Sequence, residues 1–80
     1  MPRDMFADQQ QRLQNLLRQV RLDAGLTQAE LGKLLGQHQS FVSKYESGER
    51  RLDLIEVWRI CEAVGITMHE FACRFEESLQ

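Results

Sequence analysis

Proline is almost missing from this sequence: its single proline stands at position 2, so nothing in the remaining chain forbids continuous helix. The apolar–polar alternation of a half-buried strand is missing as well. Apolar runs reach only a few residues, far short of a membrane span. Cysteine is limited to Cys61 and Cys73, both inside helical patterns and without metal or redox spacing, so buried, reduced thiols are expected. The sequence holds no Gly-rich phosphate loop, no HExxH and no Ser or Cys elbow, and His38 and His69 have no metal-ligand spacing with the cysteines. An enzyme, a metal site and a cofactor are therefore not expected, and His69 reads as a surface residue. Met1-Pro2-Arg3-Asp4 opens no apolar secretory segment, which makes a cytoplasmic address the expectation.

An excess of basic charge is also lacking. The net charge is −2, which counts mildly against a polyanionic partner. Its distribution softens that reading, because residues 60–80 carry Arg74 against Glu62, Glu70, Glu76 and Glu77. The acidity thus sits in the C-terminal segment, and the local field of residues 1–59 is close to neutral. What is present is a globular composition, 42% hydrophobic and 28% charged. Eighty residues have room for one small core, so a single domain over 1–80 with no small-molecule ligand is expected.

Apolar spacing is helical throughout. Leu13, Leu16, Leu17, Val20 and Ala24 mark helix 1, with Asp8 as its expected N-cap, Gln11 three residues on and Gly25 as its end. The first seven residues are expected to fray, with Met5 and Phe6 available to fold back as a staple. Thr27 and Glu30 form a capping-box pattern for helix 2, whose Leu31, Leu34 and Leu35 are expected to face inward before Gly36 stops it. His38 or Gln39 starts helix 3, with Val42 and Tyr45 on its apolar face. Asp53 and Glu56 open helix 4, where Leu54, Val57, Trp58, Cys61 and Val64 are the apolar positions. Thr67 and Glu70 open helix 5, with Met68, Phe71, Ala72, Phe75 and Leu79 as its stripe. The pattern predicts an all-α, five-helix bundle.

Helices 2 and 3 have a distinctive spacing. Two helices crossing at a wide angle through a short turn need a small residue where their backbones approach, and Gly32 is suited to it. Gly36, four positions later, is suited to the positive φ of the turn. Beyond its buried side, helix 3 presents Gln39, Ser40, Ser43, Lys44 and Ser47, a polar face long enough to reach base edges.

Arg21-Leu22-Asp23-Ala24-Gly25-Leu26-Thr27-Gln28-Ala29-Glu30-Leu31 and Val42-Ser43-Lys44-Tyr45-Glu46-Ser47-Gly48-Glu49-Arg50-Arg51 resemble the Cro/C1-type (Xre) helix-turn-helix family. The resemblance spans roughly residues 13–72 and implies a lambda-repressor-like fold with the helix-turn-helix at 27–46. It also implies a sequence-specific double-stranded DNA-binding regulator. Gln39, Ser40, Ser43 and Lys44 match base-contacting positions; Gln suits adenine, and Lys suits guanine or phosphate. Thr27 and Gln28 match a phosphate clamp at the start of helix 2, and Ser47, Arg50 and Arg51 match a loop that reaches phosphates. His38 matches the cap of the recognition helix, as either a phosphate contact or a solvent-facing cap. Arg21 and Glu46 match a salt bridge that braces the reading head.

Four positions depart from the family pattern. Gln37 stands where an apolar residue is common, Glu49 where a basic one is frequent, and Leu52 where proline is often found. Phe41 is bulkier than the usual small polar residue and is expected to be partly core. One domain neutralises few phosphates, so a homodimer on a palindromic operator is expected, with helix 5 (about 68–78) as the dimer surface through Phe75 and Leu79. Folding of those two residues onto helix 1 is the other option. Repression by occupying the operator is the expected activity. The alternative is a protein–protein adaptor or antitoxin-type module with the same fold and weak DNA binding.

Overall fold

A computed structural model describes residues 5–80 as five helices and, among those residues, no strand. They are α1 (Met5–Asp23), α2 (Gln28–Leu34), α3 (Gln39–Ser47), α4 (Leu54–Val64) and α5 (Met68–Ser78). Leu17, Val20, Leu31, Leu35, Val42, Tyr45, Val57, Ile60, Cys61 and Phe71 close one core to which every helix contributes. α1 packs on α3 and α5, α2 on α3 and α4, and α4 on α5.

The start of α1 differs from the expectation. Asp8 lies within the helix and pairs with Arg12 at 3.1 Å, one turn on, while Gln11 bonds Asn15. A cap role is thus unavailable to Asp8. Of the seven residues expected to fray, 1–4 lie outside the described residues and 5–7 are helical. Met5 and Phe6 are exposed, and Phe6 lies 4.9 Å beneath the Arg51 guanidinium, so it braces a loop where a staple was expected.

The inner caps follow local chemistry. Thr27 and Asp53 each accept a hydrogen bond from the N–H three residues on, and Glu30 and Glu56 accept one back, closing two capping boxes. Thr67 caps α5 in the same way, but the Thr67 N–H makes no return bond to the Glu70 carboxylate, so no third box closes. The Glu70 carboxylate is taken by Arg74, one turn on, at 2.9 Å.

These boxes are expected to be acid-sensitive. The Thr27 backbone bond holds the Glu30 carboxyl below its ordinary range, and Arg50, followed by the Asp53 backbone, does so for Glu56. Carboxyls with depressed folded-state pKa values contribute stability that is complete above the unfolded Glu pKa, about 4.3, and is lost as pH falls through the folded value. Thermal melts followed by circular dichroism should show the wild type losing its advantage over a Glu30→Gln/Glu56→Gln variant between about pH 5 and pH 3. An advantage of constant size across that window would contradict the assignment.

Several apolar side chains expected inside are outside. Leu34, Leu54 and Trp58 are exposed, as are Ala24, Ala72 and Cys73; of the two thiols only Cys61 is buried. α4 turns Val57, Ile60 and Cys61 to the core, and Leu54 and Trp58 lie on a second face of the same helix. Cys73 stands beside His69, one turn away, with 3.9 Å between Sγ and Nε2.

Candidate nucleic-acid interface

The turn between α2 and α3 folds directly onto Gly32. The Gln37 N–H donates to the Gly32 carbonyl at 2.8 Å. A Cβ added at Gly32 would stand 3.1 Å from the Gln37 oxygen, 3.2 Å from the His38 oxygen and 3.3 Å from the Gln39 nitrogen. Backbone therefore crowds the place of a Cβ and leaves no room for a branched side chain, and the close approach of the α2–α3 turn relies on the glycine. Gly36 takes φ +68°, which reverses the chain between the two helices.

His38 caps α3 through Nδ1, which accepts the Ser40 N–H at 3.1 Å. An accepting Nδ1 places the neutral ring's proton on Nε2, leaving that N–H as a donor. Val42 and Tyr45 are buried, and Phe41 meets the Tyr45 ring edge-on at 5.5 Å between centroids. Burial pushes the Tyr45 phenol well above its ordinary pKa, and its hydroxyl has no hydrogen-bond partner among the described residues.

The opposite face of α3 separates its candidates. Ser43 donates to the Ser40 carbonyl at 3.2 Å and Ser47 to the Lys44 carbonyl at 3.1 Å, while the Ser40 hydroxyl lies 3.1 Å from His38 Nδ1. These three hydroxyls are engaged with their own helix. Gln39 and Lys44 are exposed and make no side-chain hydrogen bond among the described residues.

Behind this face, Arg21 of α1 meets Glu46 of α3 through two parallel bonds, Nε to Oε2 at 2.8 Å and Nη2 to Oε1 at 3.0 Å. Their side chains are 8% and 5% exposed. Arg21 Nη1 also donates to the Leu26 carbonyl at 2.9 Å, so one guanidinium holds α3 and the α1–α2 connection together. Donation to the Glu46 carboxylate raises the Arg21 pKa above its ordinary value. Gln28 Nε2 donates to Glu46 Oε1 at 3.1 Å, which joins the first residue of α2 to the end of α3. An amide nitrogen has two N–H donors, and one remains for a ligand. Thr27 is the α2 cap described above.

The two loop arginines differ in their engagements. Arg50 makes a bidentate pair with Glu56 at 2.8 and 3.2 Å, donates to the Arg51 carbonyl and lies 4.8 Å over the Phe41 ring. Its charge is locally matched. Arg51 has no ion pair among the described residues and stacks only on Phe6. Sequence reasoning missed both arginine–aromatic stacks and the Gln28–Glu46 bond. The stacks join residues 9 and 45 positions apart, and no local pattern signals such pairs.

Phe75 is half-buried, and Leu79, which follows α5 as its C-terminal cap, is exposed. Arg12 of α1 donates to the Ser78 carbonyl at that end, tying α5 to α1. Among the described residues, no three His, Cys, Asp or Glu side chains gather as metal ligands would, and no helix is long and apolar enough to cross a membrane.

Two helices joined across a glycine by a four-residue turn, the second with an exposed polar face, define a helix-turn-helix protein. The family described as Helix-turn-helix matches residues 17–71. An XRE-family like protein from Pseudomonas syringae pv. tomato str. DC3000 is 42% identical, with a TM-score of 0.83 over 90% of this chain and 88% of that one. The chain belongs to the Cro/C1-type (XRE) helix-turn-helix family of DNA-binding regulators. The clp gene regulator ClgR from C. glutamicum shares the fold at 22% identity, with a TM-score of 0.77 over 90% of this chain and 92% of its own. The restriction-modification controller protein C.Esp1396I, solved as a tetramer in complex with its natural 35 base-pair operator, shares it at 17% identity. Its TM-score is 0.81 over 89% of this chain and 93% of its own. No curated protein matches the sequence.

Proposed function

We propose that this protein is a sequence-specific double-stranded DNA-binding transcriptional repressor that occupies a palindromic operator as a homodimer. The observation that carries the reading is the exposed polar face of α3, held rigidly by the Arg21–Glu46 pair and seated on Gly32. Gln39 and Lys44, the two long side chains not engaged with the protein, read bases in the major groove. Ser40 and Ser43 contribute as acceptors, or as donors after rotating away from their helix. Thr27, Gln28, His38, Ser47 and Arg51 hold phosphates around this face, and Arg50 stiffens the loop through Glu56 before it meets DNA. The operator-bound controller protein with the same fold supports this reading.

Selection from random duplexes should return a two-fold symmetric site. Gln39→Ala and Lys44→Ala should change the preferred bases, with about 1–3 kcal/mol lost at the position each reads. Arg51→Ala should weaken all sequences alike and reduce the slope of log K against log salt by about 1. Failure to bind random duplex even at low salt would end the DNA-binding reading.

A further inference from the structure

α4 is apolar on two faces. At 100° per residue, Val57, Ile60, Cys61 and Val64 fall on one side and line the core, whereas Leu54, Trp58 and Ile55 form a second stripe about 100° wide. That second stripe faces solvent: Leu54 is 69%, Ile55 65% and Trp58 45% exposed. Leu34 of α2, 61% exposed, lines an open groove together with Trp58. These four side chains present on the order of 500 Å² of surface, at the upper end of what a monomer leaves bare and close to the apolar share of a standard 800 Å² half-interface.

We infer that this stripe is the surface through which a second copy of the chain binds, so that α4 lies against its own counterpart across the dyad. The inference rests on the homodimer proposed above and names its surface. Charge decides the occupant. Arg59 and Glu62, one turn apart, flank Trp58 on the groove and have no ion-pair partner among the described residues. A face carrying one charge of each sign beside an apolar stripe is complementary to itself. An antiparallel two-fold pairing of α4 sets Arg59 of each copy against Glu62 of the other, and the contact closes as a dimer without leaving a free edge. α5 is already held on α1 and α4, with Phe71 in the core and Arg12 on its last turn, and Leu79 at its end is the one large apolar side chain it exposes among the described residues.

Sedimentation equilibrium of the full chain, with tryptophan emission recorded against concentration, tests this directly. Trp58 is the single tryptophan, so emission should shift to the blue as the dimer forms. Ile55→Asp should raise the dimer dissociation constant about 100-fold or more, because it places a carboxylate in the apolar stripe that the partner must desolvate. An acidic residue in the first turn of a helix is favourable in the monomer, so its melting temperature should not fall at concentrations where both proteins are monomeric. Arg59→Glu should weaken the dimer, and adding Glu62→Arg should restore it. If Ile55→Asp stays as dimeric as the wild type while Leu79→Asp dissociates, the α4 surface is wrong and the homodimer stands on α5. A wild type that is monomeric at about 100 µM and binds DNA as one copy would remove both the surface and the homodimer while leaving DNA binding intact.

Discussion

Glu46→Ala is expected to destabilise the protein by about 3–5 kcal/mol, the cost of leaving one partner of a buried ion pair behind. At about 4–8 °C per kcal/mol for a domain of this size, the melting temperature should fall by more than about 12 °C. The size of the effect follows from what is stranded. Arg21 keeps its bond to the Leu26 carbonyl but loses both bonds to Glu46 at a site where it is 8% exposed, and Gln28 loses its acceptor. Removing both charges is different. Replacement of a buried pair by apolar residues of similar volume is often neutral. An Arg21→Met/Glu46→Leu variant should therefore recover most of the stability. It should still bind DNA less well than the wild type, because Gln28 and α3 lose their shared anchor. Thermal melts of the two single variants and the double variant decide this. A Glu46→Ala protein that melts within a few degrees of wild type would mean the pair has no structural role.

Gly32→Val should cost about 1–3 kcal/mol and abolish operator binding well below the temperature at which the protein unfolds. Three backbone atoms of the α2–α3 turn stand within 3.3 Å of where its Cβ would lie, and backbone cannot rotate aside as a side chain can. The turn must move outward, carrying α3 away from the end of α2. Gly32→Ala is the control: its methyl requires a shift of a few tenths of an ångström, while exchanging glycine for alanine inside a helix gains about 1 kcal/mol. That variant should be near neutral in stability. Equal DNA affinity for the valine protein and the wild type, measured by titration into labelled duplex, would show that Gly32 does not set the reading head.

Much of this was legible in the residues alone. Thr27-x-x-Glu30 and Asp53-x-x-Glu56 are boxes closed within four residues, so their outcome depends on nothing distant. Thr67-x-x-Glu70 has the same pattern, yet only its first half forms, because Arg74 competes for the carboxylate. Leu34 and Trp58 were misplaced for a related reason. Hydrophobic spacing shows that a face is apolar and cannot show whether a neighbour covers it. The loop arginines were equivalent in sequence and became distinct only when Glu56 and Phe41 closed around Arg50.

The sequence by itself determined five helices, the N-caps of α2, α4 and α5 and the all-α class, since these follow from bonds and periodicities a few residues long. It also determined where the helix-turn-helix lies, because a glycine at a close approach and a glycine at positive φ, four apart, are demanded by the backbone. Only the tertiary structure decided which polar side chains of α3 remain uncommitted and which arginine is matched by a carboxylate. It also left the second face of α4 bare. Those outcomes depend on distances between residues far apart in the chain, and packing of the whole bundle determines them.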